Sequence, residues 1–496
     1  MQSLLTFGLL EAVVEQHIPA TKLIKDEGGT LVMTRDCISQ IIHDFVERVR
    51  SMMVNILTLH FSVFEPLGAD APSMVCFIAL VSKALVNATM VFPPGLARQG
   101  FSWSVIWVPD YRQVITKEMV ADGWCPSVVE YLVSTFSVSS LEYVRSQGPA
   151  GETGISHGDC SPTACAQYRI NEETYAPKHA SSCRWLTAPR GVSCEYSKPP
   201  LEEVKQLVLE NEIPVITVVD GSCDGSARLQ IHRASNTPYV AISHVWADGL
   251  GSTTEKGLPT CQLRWLSSLV SKIQPGAAFW TDGICIPEAD HIRKKAIGMM
   301  ARTYNEAVAV LVLDSGVQLC SSAQPPDEKV LRVLTSGWMR RLWTLQEAVL
   351  SKELHLAFAD RTLLLTDLMP PPSDMLLSPH LTNLAGELFR LTKLSKHNSY
   401  AIGDVARSLR WRGTGKPADE TLAIASLLGA DASDLVDLGP ERRMMRLLQD
   451  IGRFPRNILF LLGSKAASRG ISLGDGIVHG CPWRRRRRHD AVHPGT

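Results

Sequence analysis

Tyr239–Gly251 (YVAISHVWADGLG), Phe279–Pro287 (FWTDGICIP), Lys294–Asp314 (KKAIGMMARTYNEAVAVLVLD) and Trp338–Ser351 (WMRRLWTLQEAVLS) decide the fold. Short β-rich runs, YVAIS, AAFWTDGICI, VAVLVLD and ELHLAF, alternate here with amphipathic stretches such as CQLRWLSSLV and HIRKKAIGMMARTYNEA. That alternation predicts an α/β domain over residues 237–365 with a parallel, doubly wound sheet. In the stretch after Asp290, Ala296, Ile297, Met300 and Tyr304 share one helical face, while Arg293, Lys294 and Arg302 lie away from it, so the helix is expected to pack on the sheet.

Immediately upstream, IPVITVV, DGSCDGS and ARLQIHR read as strand, turn, strand, a hairpin leading into the sheet domain. Together with a Cys/His-rich stretch this makes a second region, residues 123–236. Residues 1–122 form an N-terminal region that mixes amphipathic helical stretches with loops and carries no motif attached to chemistry. Its most apolar run, Ser73–Phe92, is long enough for a membrane span, but Lys83 at its centre and Asn87 favour a buried helix. Downstream, MPPPSD marks a linker into an α-rich region, 366–470, and 471–496 reads as a disordered basic tail containing Arg484–Arg488.

The chain has 496 residues, about three domains by length, and its 45% apolar and 20% charged content is globular. Lys plus Arg and Asp plus Glu both number 50, and without the five-arginine run the formal charge is −5. This excludes binding of nucleic acid or anionic membrane by bulk charge, and neither partner is expected. Twelve cysteines are too sparse for a disulfide scaffold, and the N-terminus shows no signal-peptide pattern, so a reducing, cytoplasmic location is expected.

Residues 157–194 hold H-x2-C-x4-C-x13-H-x3-C-x10-C, formed by His157, Cys160, Cys165, His179, Cys183 and Cys194. Two close pairs separated by a loop can converge on zinc, and Cys160, Cys165, His179 and Cys183 form the expected quartet of a structural site. The other reading is a set of unrelated thiols and surface histidines, since the spacing matches no standard finger.

The four stretches quoted first, in that order over about 110 residues, closely resemble the heterokaryon incompatibility (HET) domain of filamentous fungi: Ser-His-x-Trp after the first strand, Trp-x-Asp-x-x-Cys-Ile near the second and Leu-Trp-Thr-x-Gln-Glu on the late helix. Ala247, Asp248 and Gly249 follow Trp246 where the family usually has Gly directly after the Trp. The resemblance implies an effector of nonself recognition that leads to regulated cell death, working with protein partners or by self-association. The HET domain is in turn distantly similar to the flavodoxin-like TIR fold, in which a Trp-Cys-x-x-Glu segment carries the glutamate of NAD-cleaving enzymes. By that likeness Trp343 and Glu347, with Thr344 in the cysteine place, imply NAD as a substrate and Glu347 as a candidate catalytic residue.

The residue types suit that chemistry. A carboxylate can stabilise an oxocarbenium-like state while an aromatic ring stacks on the leaving base. Indexed at 100° per residue, Leu342, Leu345 and Val349 face the sheet, leaving Arg340, Trp343 and Glu347 for a cleft or partner. Ser243, His244, Trp246 and Asp282 follow the first two strands, at the end of a parallel sheet where ligands sit, and one shared crevice is expected. Each also has a plainer role: His244 bonding a loop carbonyl, Asp282 capping a turn, Trp246 and Trp280 in the core, Glu347 paired with Arg340 or Arg341. No phosphate-cradling Gly motif or HExxH occurs. A noncatalytic self-associating module, anchored by Trp246 and Trp343, is the alternative function.

Overall fold

The structure, a computed structural model, describes short pieces between residues 11 and 51 and then residues 109–149, 157–183, 194–220, 227–371, 379–392 and 400–452, apart from positions 137, 169, 172, 173, 401 and 410. The apolar run Ser73–Phe92 and the basic tail fall outside the described residues. Among the described residues no helix is long and apolar enough to cross a membrane.

The chain is mixed α/β. A small antiparallel hairpin, β1 (Ile24–Glu27) and β2 (Thr30–Met33), stands near the start, and a two-residue pairing joins β3 (Tyr196–Ser197) to β7 (Leu258–Pro259). The main sheet has seven strands: β4 (Pro214–Asp220), β5 (Ala227–Arg233), β6 (Tyr239–His244), β8 (Ala278–Trp280), β9 (Ala309–Leu313), β10 (Leu354–Ala357) and β11 (Thr362–Leu364), in the order β11-β10-β9-β6-β8-β4-β5.

Only its centre is parallel. β6 runs parallel to β8 and β9, and β9 to β10, whereas β4 is antiparallel to both β5 and β8, and β11 is antiparallel to β10. The expected wholly parallel sheet is therefore corrected at both edges, because each edge is a hairpin and a short turn can join only antiparallel neighbours. The upstream hairpin is itself part of the sheet, Ile216 pairing with Phe279. Burial follows the same division. Every residue of β6 and β9 is buried, as strands covered on both faces require, while edge strand β5 is mostly half-exposed.

The helical stretch after Asp290 is two helices, Asp290–Gly298 and Met300–Glu306, meeting at Met299. Ala296, Met300 and Tyr304 are buried as expected, with Ile297 half-buried. Trp280 on β8 meets Tyr304 edge-to-face at 5.6 Å, joining the sheet to that helix.

Chain order within the parallel centre places β8 on one side of β6 and β9 and β10 on the other. Connections therefore leave β6 in opposite directions, and the carboxyl end of β6 next to β9 is a topological switch point, where α/β sheets leave a crevice. Ser243 and His244 stand at that end.

Candidate functional site

Two hydrogen-bonded groups form around the end of β6. In the inner one the indole Nε1 of Trp338 donates to Ser243 Oγ at 2.6 Å, and that hydroxyl donates to the Glu347 carboxylate. Ser243 and Trp338 are fully buried and Glu347 is 6% exposed. Burial raises the Glu347 carboxyl to about 7, although the Ser243 hydrogen bond and the Arg341 charge pull the other way. The Tyr304 phenol lies beside the same carboxylate and is itself pushed far up by burial and by that negative charge.

The outer group is centred on Asp282, the first residue of the short helix Asp282–Cys285 that follows β8. One carboxylate oxygen lies 2.7 Å from His244 Nε2 and the other accepts the Trp246 indole N–H at 2.7 Å. Burial alone would raise this carboxyl, but the opposing His244 charge and the two hydrogen bonds hold it at about 2. Its side chain remains 26% exposed, so this group, unlike the inner one, reaches the surface. Arg341 Nη1 donates to the backbone carbonyl of His244 at 2.6 Å, and His244 Nδ1 is buried without a hydrogen-bond partner.

The loop after β6 is shaped by close approach. Gly249 sits at φ +109°, with the Lys178 side chain where a Cβ would point, and a Cβ at Gly251 would come within 2.8 Å of the Trp246 ring. Tyr175 locks this loop, its hydroxyl donating to the carbonyl of Trp246 at 2.6 Å and accepting the amide of Gly251 at 2.9 Å.

Of the expected site residues, the structure thus brings together Ser243, His244, Trp246, Asp282 and Glu347. Trp343 is separate. The expectation that Trp343 and Glu347 share an outward face is corrected, for two reasons. The helix comprises only Trp343–Val349; Arg340 belongs to a different helix, Gly337–Arg340, and Arg341 between them is extended. The helix is also wedged between β6 and the helical segment Glu420–Leu428, where Ser426 Oγ bonds Gln346 at 2.9 Å, so Thr344 to Val349 are all buried and only Trp343 stays half-exposed. Arg340, expected beside them, lies over the Tyr131 ring and donates to the Ser127 carbonyl at 3.0 Å.

Sequence reading missed Trp338, Tyr304 and Tyr175 as partners of this network. Trp338 stood inside a decisive stretch but read as helix body, and Tyr175 lies 71 residues before Trp246 with no motif to flag it. It also missed a cleft of 430 Å³ at the carboxyl ends of β9 and β10, lined by Asp248, Trp265, Lys272, Asp314, Phe358 and Arg361 among others. Burial and the neighbouring Asp248 raise Asp314 to about 6. A cleft there, with an aromatic ring and both signs of charge, has the composition of a small polar-ligand site.

The Cys/His stretch forms two clusters. One gathers Cys125, His157, Cys160 and Cys165; the other gathers His179, Cys183, Cys194 and Cys261; in each, the four ligand atoms lie within 4.8 Å of one another and could hold a metal ion. The expected quartet of Cys160, Cys165, His179 and Cys183 is corrected: its two halves belong to different clusters. The chain between Cys165 and His179 runs past Trp246, where Tyr175 is fixed, so the second pair is delivered to Cys261 on the helix Thr260–Ile273. The hydrogen bond between Cys165 and Cys125 holds the Cys125 thiol down at about 4 and drives Cys165 upward.

Comparison of the chain with family models, curated proteins and solved structures returns no match.

Proposed function

We propose that this chain is a HET-type effector of nonself recognition whose flavodoxin-like core acts as a signalling module, triggering regulated cell death through protein partners or self-association. One observation carries the proposal. Three stretches that resemble the family's motifs, around Ser243, Asp282 and Glu347, interlock through side chains at one end of β6 instead of lying scattered. The parallel strands also follow the flavodoxin order, 2-1-3-4 counting from β6. Enclosure of Glu347 by Ser243 and Trp338 favours a structural latch over a catalytic acid, because no substrate reaches a carboxylate sealed on these sides.

NAD cleavage by Glu347 is the second reading. It is favoured by the acid's place at the carboxyl end of β6 and by its value near 7, which suits proton transfer at neutral pH. It requires the Trp338–Ser243 cover to open. Inducible expression of the full chain in fungal cells, with viability and NAD both followed, tests the proposal. Death at unchanged NAD supports the module. Loss of NAD before death, abolished by Glu347→Gln, transfers the assignment to chemistry, and full viability at matched protein level overturns the effector role.

A further inference from the structure

We propose that the chain binds two structural zinc ions, one in each Cys3His cluster, and that together they staple the 157–194 stretch onto two helices of the core. This does not depend on the effector reading. A zinc ion bound tetrahedrally by sulfurs at about 2.3 Å and a nitrogen at about 2.0–2.1 Å holds its ligand atoms ~3.8 Å apart between sulfurs and ~3.5 Å between sulfur and nitrogen. In the first cluster Cys160 Sγ and Cys165 Sγ are 3.6 Å apart, and His157 Nδ1 lies 3.4 Å and 3.9 Å from them. In the second, His179 Nδ1 lies 3.8 Å from Cys183 Sγ and 3.5 Å from Cys261 Sγ. These are tetrahedron edges. Disulfide sulfurs would lie about 2.05 Å apart, and all six ligand cysteines are free thiols.

The two clusters are built to one plan. Each takes three ligands from the stretch between His157 and Cys194 and a fourth from a helix start in the core: Cys125 precedes Pro126–Thr135, and Cys261 lies in the first turn of Thr260–Ile273. Each also has a backbone amide aimed at a sulfur: Ala166 N–H to Cys160 at 3.2 Å and Ala180 N–H to Cys261 at 3.3 Å. Three thiolates around a divalent ion leave one net negative charge, and such amides disperse it. Six ligands within the stretch, too many for one site, become the right number for two once Cys125 and Cys261 are added.

The second ion bears on the rim of the sheet. Between the clusters the chain passes Tyr175, which clamps Trp246 and Gly251, and Lys178, whose amide donates to Gly249 at 2.9 Å and whose carbonyl accepts from Gln262 at 2.9 Å. With both ends of this passage fixed by metal, the loop carrying Trp246 is held in register with Asp282.

Elemental analysis and native mass spectrometry of the full chain are expected to find two zinc ions per chain. Cobalt replacement should give intense tetrahedral and thiolate-to-cobalt absorption equivalent to two sites. Cys165→Ser and Cys183→Ser should each remove one ion, and the double variant both. If a variant does not fold, stepwise mercurial titration of the wild-type thiols, read with a zinc-sensitive dye, should release two ions per chain. Release of one ion or none overturns the proposal, as does loss of the same ion in both single variants.

Discussion

Strand β6 and the stretch from His157 to Cys183 adjoin each other but are ordered by opposite means. All six residues of β6 are buried, and its position follows from apolar contact on both faces. The Cys/His stretch contributes almost no apolar core: among its described residues only Ala180 and Cys183 are buried hydrophobics. Its order comes from side-chain clusters and a few long-range hydrogen bonds. The first region should therefore answer to changes in packing and buried polar partners, and the second to changes in ligation.

The largest expected effect breaks the second region alone. Structural zinc in small peptides contributes on the order of 10 kcal/mol of apparent binding free energy. Stripping metal with a strong chelator should make residues 157–194 sensitive to protease while the sheet keeps its far-ultraviolet dichroism. Equal resistance before and after chelation would mean that the stretch is held by something other than ligation.

Next in size is Trp338→Ala. It removes a fully buried indole and leaves Ser243 and Glu347 without their third partner, and a loss of about 4 kcal/mol in urea unfolding is expected. Zinc content should remain unchanged, since Trp338 belongs to neither cluster.

The pH dependence separates the two carboxylates of the network. Glu347 rises from an ordinary 4.5 to about 7 on folding, so the native state holds the extra proton. Its contribution is fully present below pH 4.5 and is lost as pH climbs through 7, on the order of 3 kcal/mol in all. Asp282 goes the other way, from 3.8 to about 2, and its contribution is present above 3.8 and lost as pH falls through 2. Glu347→Gln mimics the protonated acid and should abolish the decline between pH 4.5 and 7. An unchanged decline in that variant would place its origin elsewhere, with Asp314 as the next group to replace, because it too is raised on folding.

The same contrast governs what could be read in the sequence. Strands β6, β8, β9 and β10 and the convergence of Ser243, His244, Asp282 and Glu347 were legible, because continuous apolar runs and residues at strand ends carry position directly. The division of the cysteines was not. Spacing along a chain shows which ligands are close neighbours, such as Cys160 and Cys165, but not which distant residue completes the set. Cys125 and Cys261 are delivered by tertiary packing of their helices, and neither has a ligand neighbour in sequence. The orientation of Glu347 was lost for a related reason. A helix enclosed on most sides has no solvent face to assign, and the extended Arg341 puts only Arg340 on a different helix.

That last point gives the smallest expected effect. Trp343 and Trp338 lie five residues apart in one motif-bearing stretch, and a reading by residue type would rank them equally. Their surroundings do not: Trp338 is fully buried with its N–H bonded to Ser243, while Trp343 is half-exposed and only partly packed against the core. Removing the Trp343 ring forfeits part of an apolar contact and leaves no buried polar group unpaired, so Trp343→Ala should cost about 1 kcal/mol or less. If Trp343 is the anchor through which the module meets a partner or a second copy, the same substitution should weaken that association in sedimentation or crosslinking while unfolding barely changes. A destabilisation as large as that of Trp338→Ala would instead make it one more core residue, and Trp343 would lose its claim as a contact point.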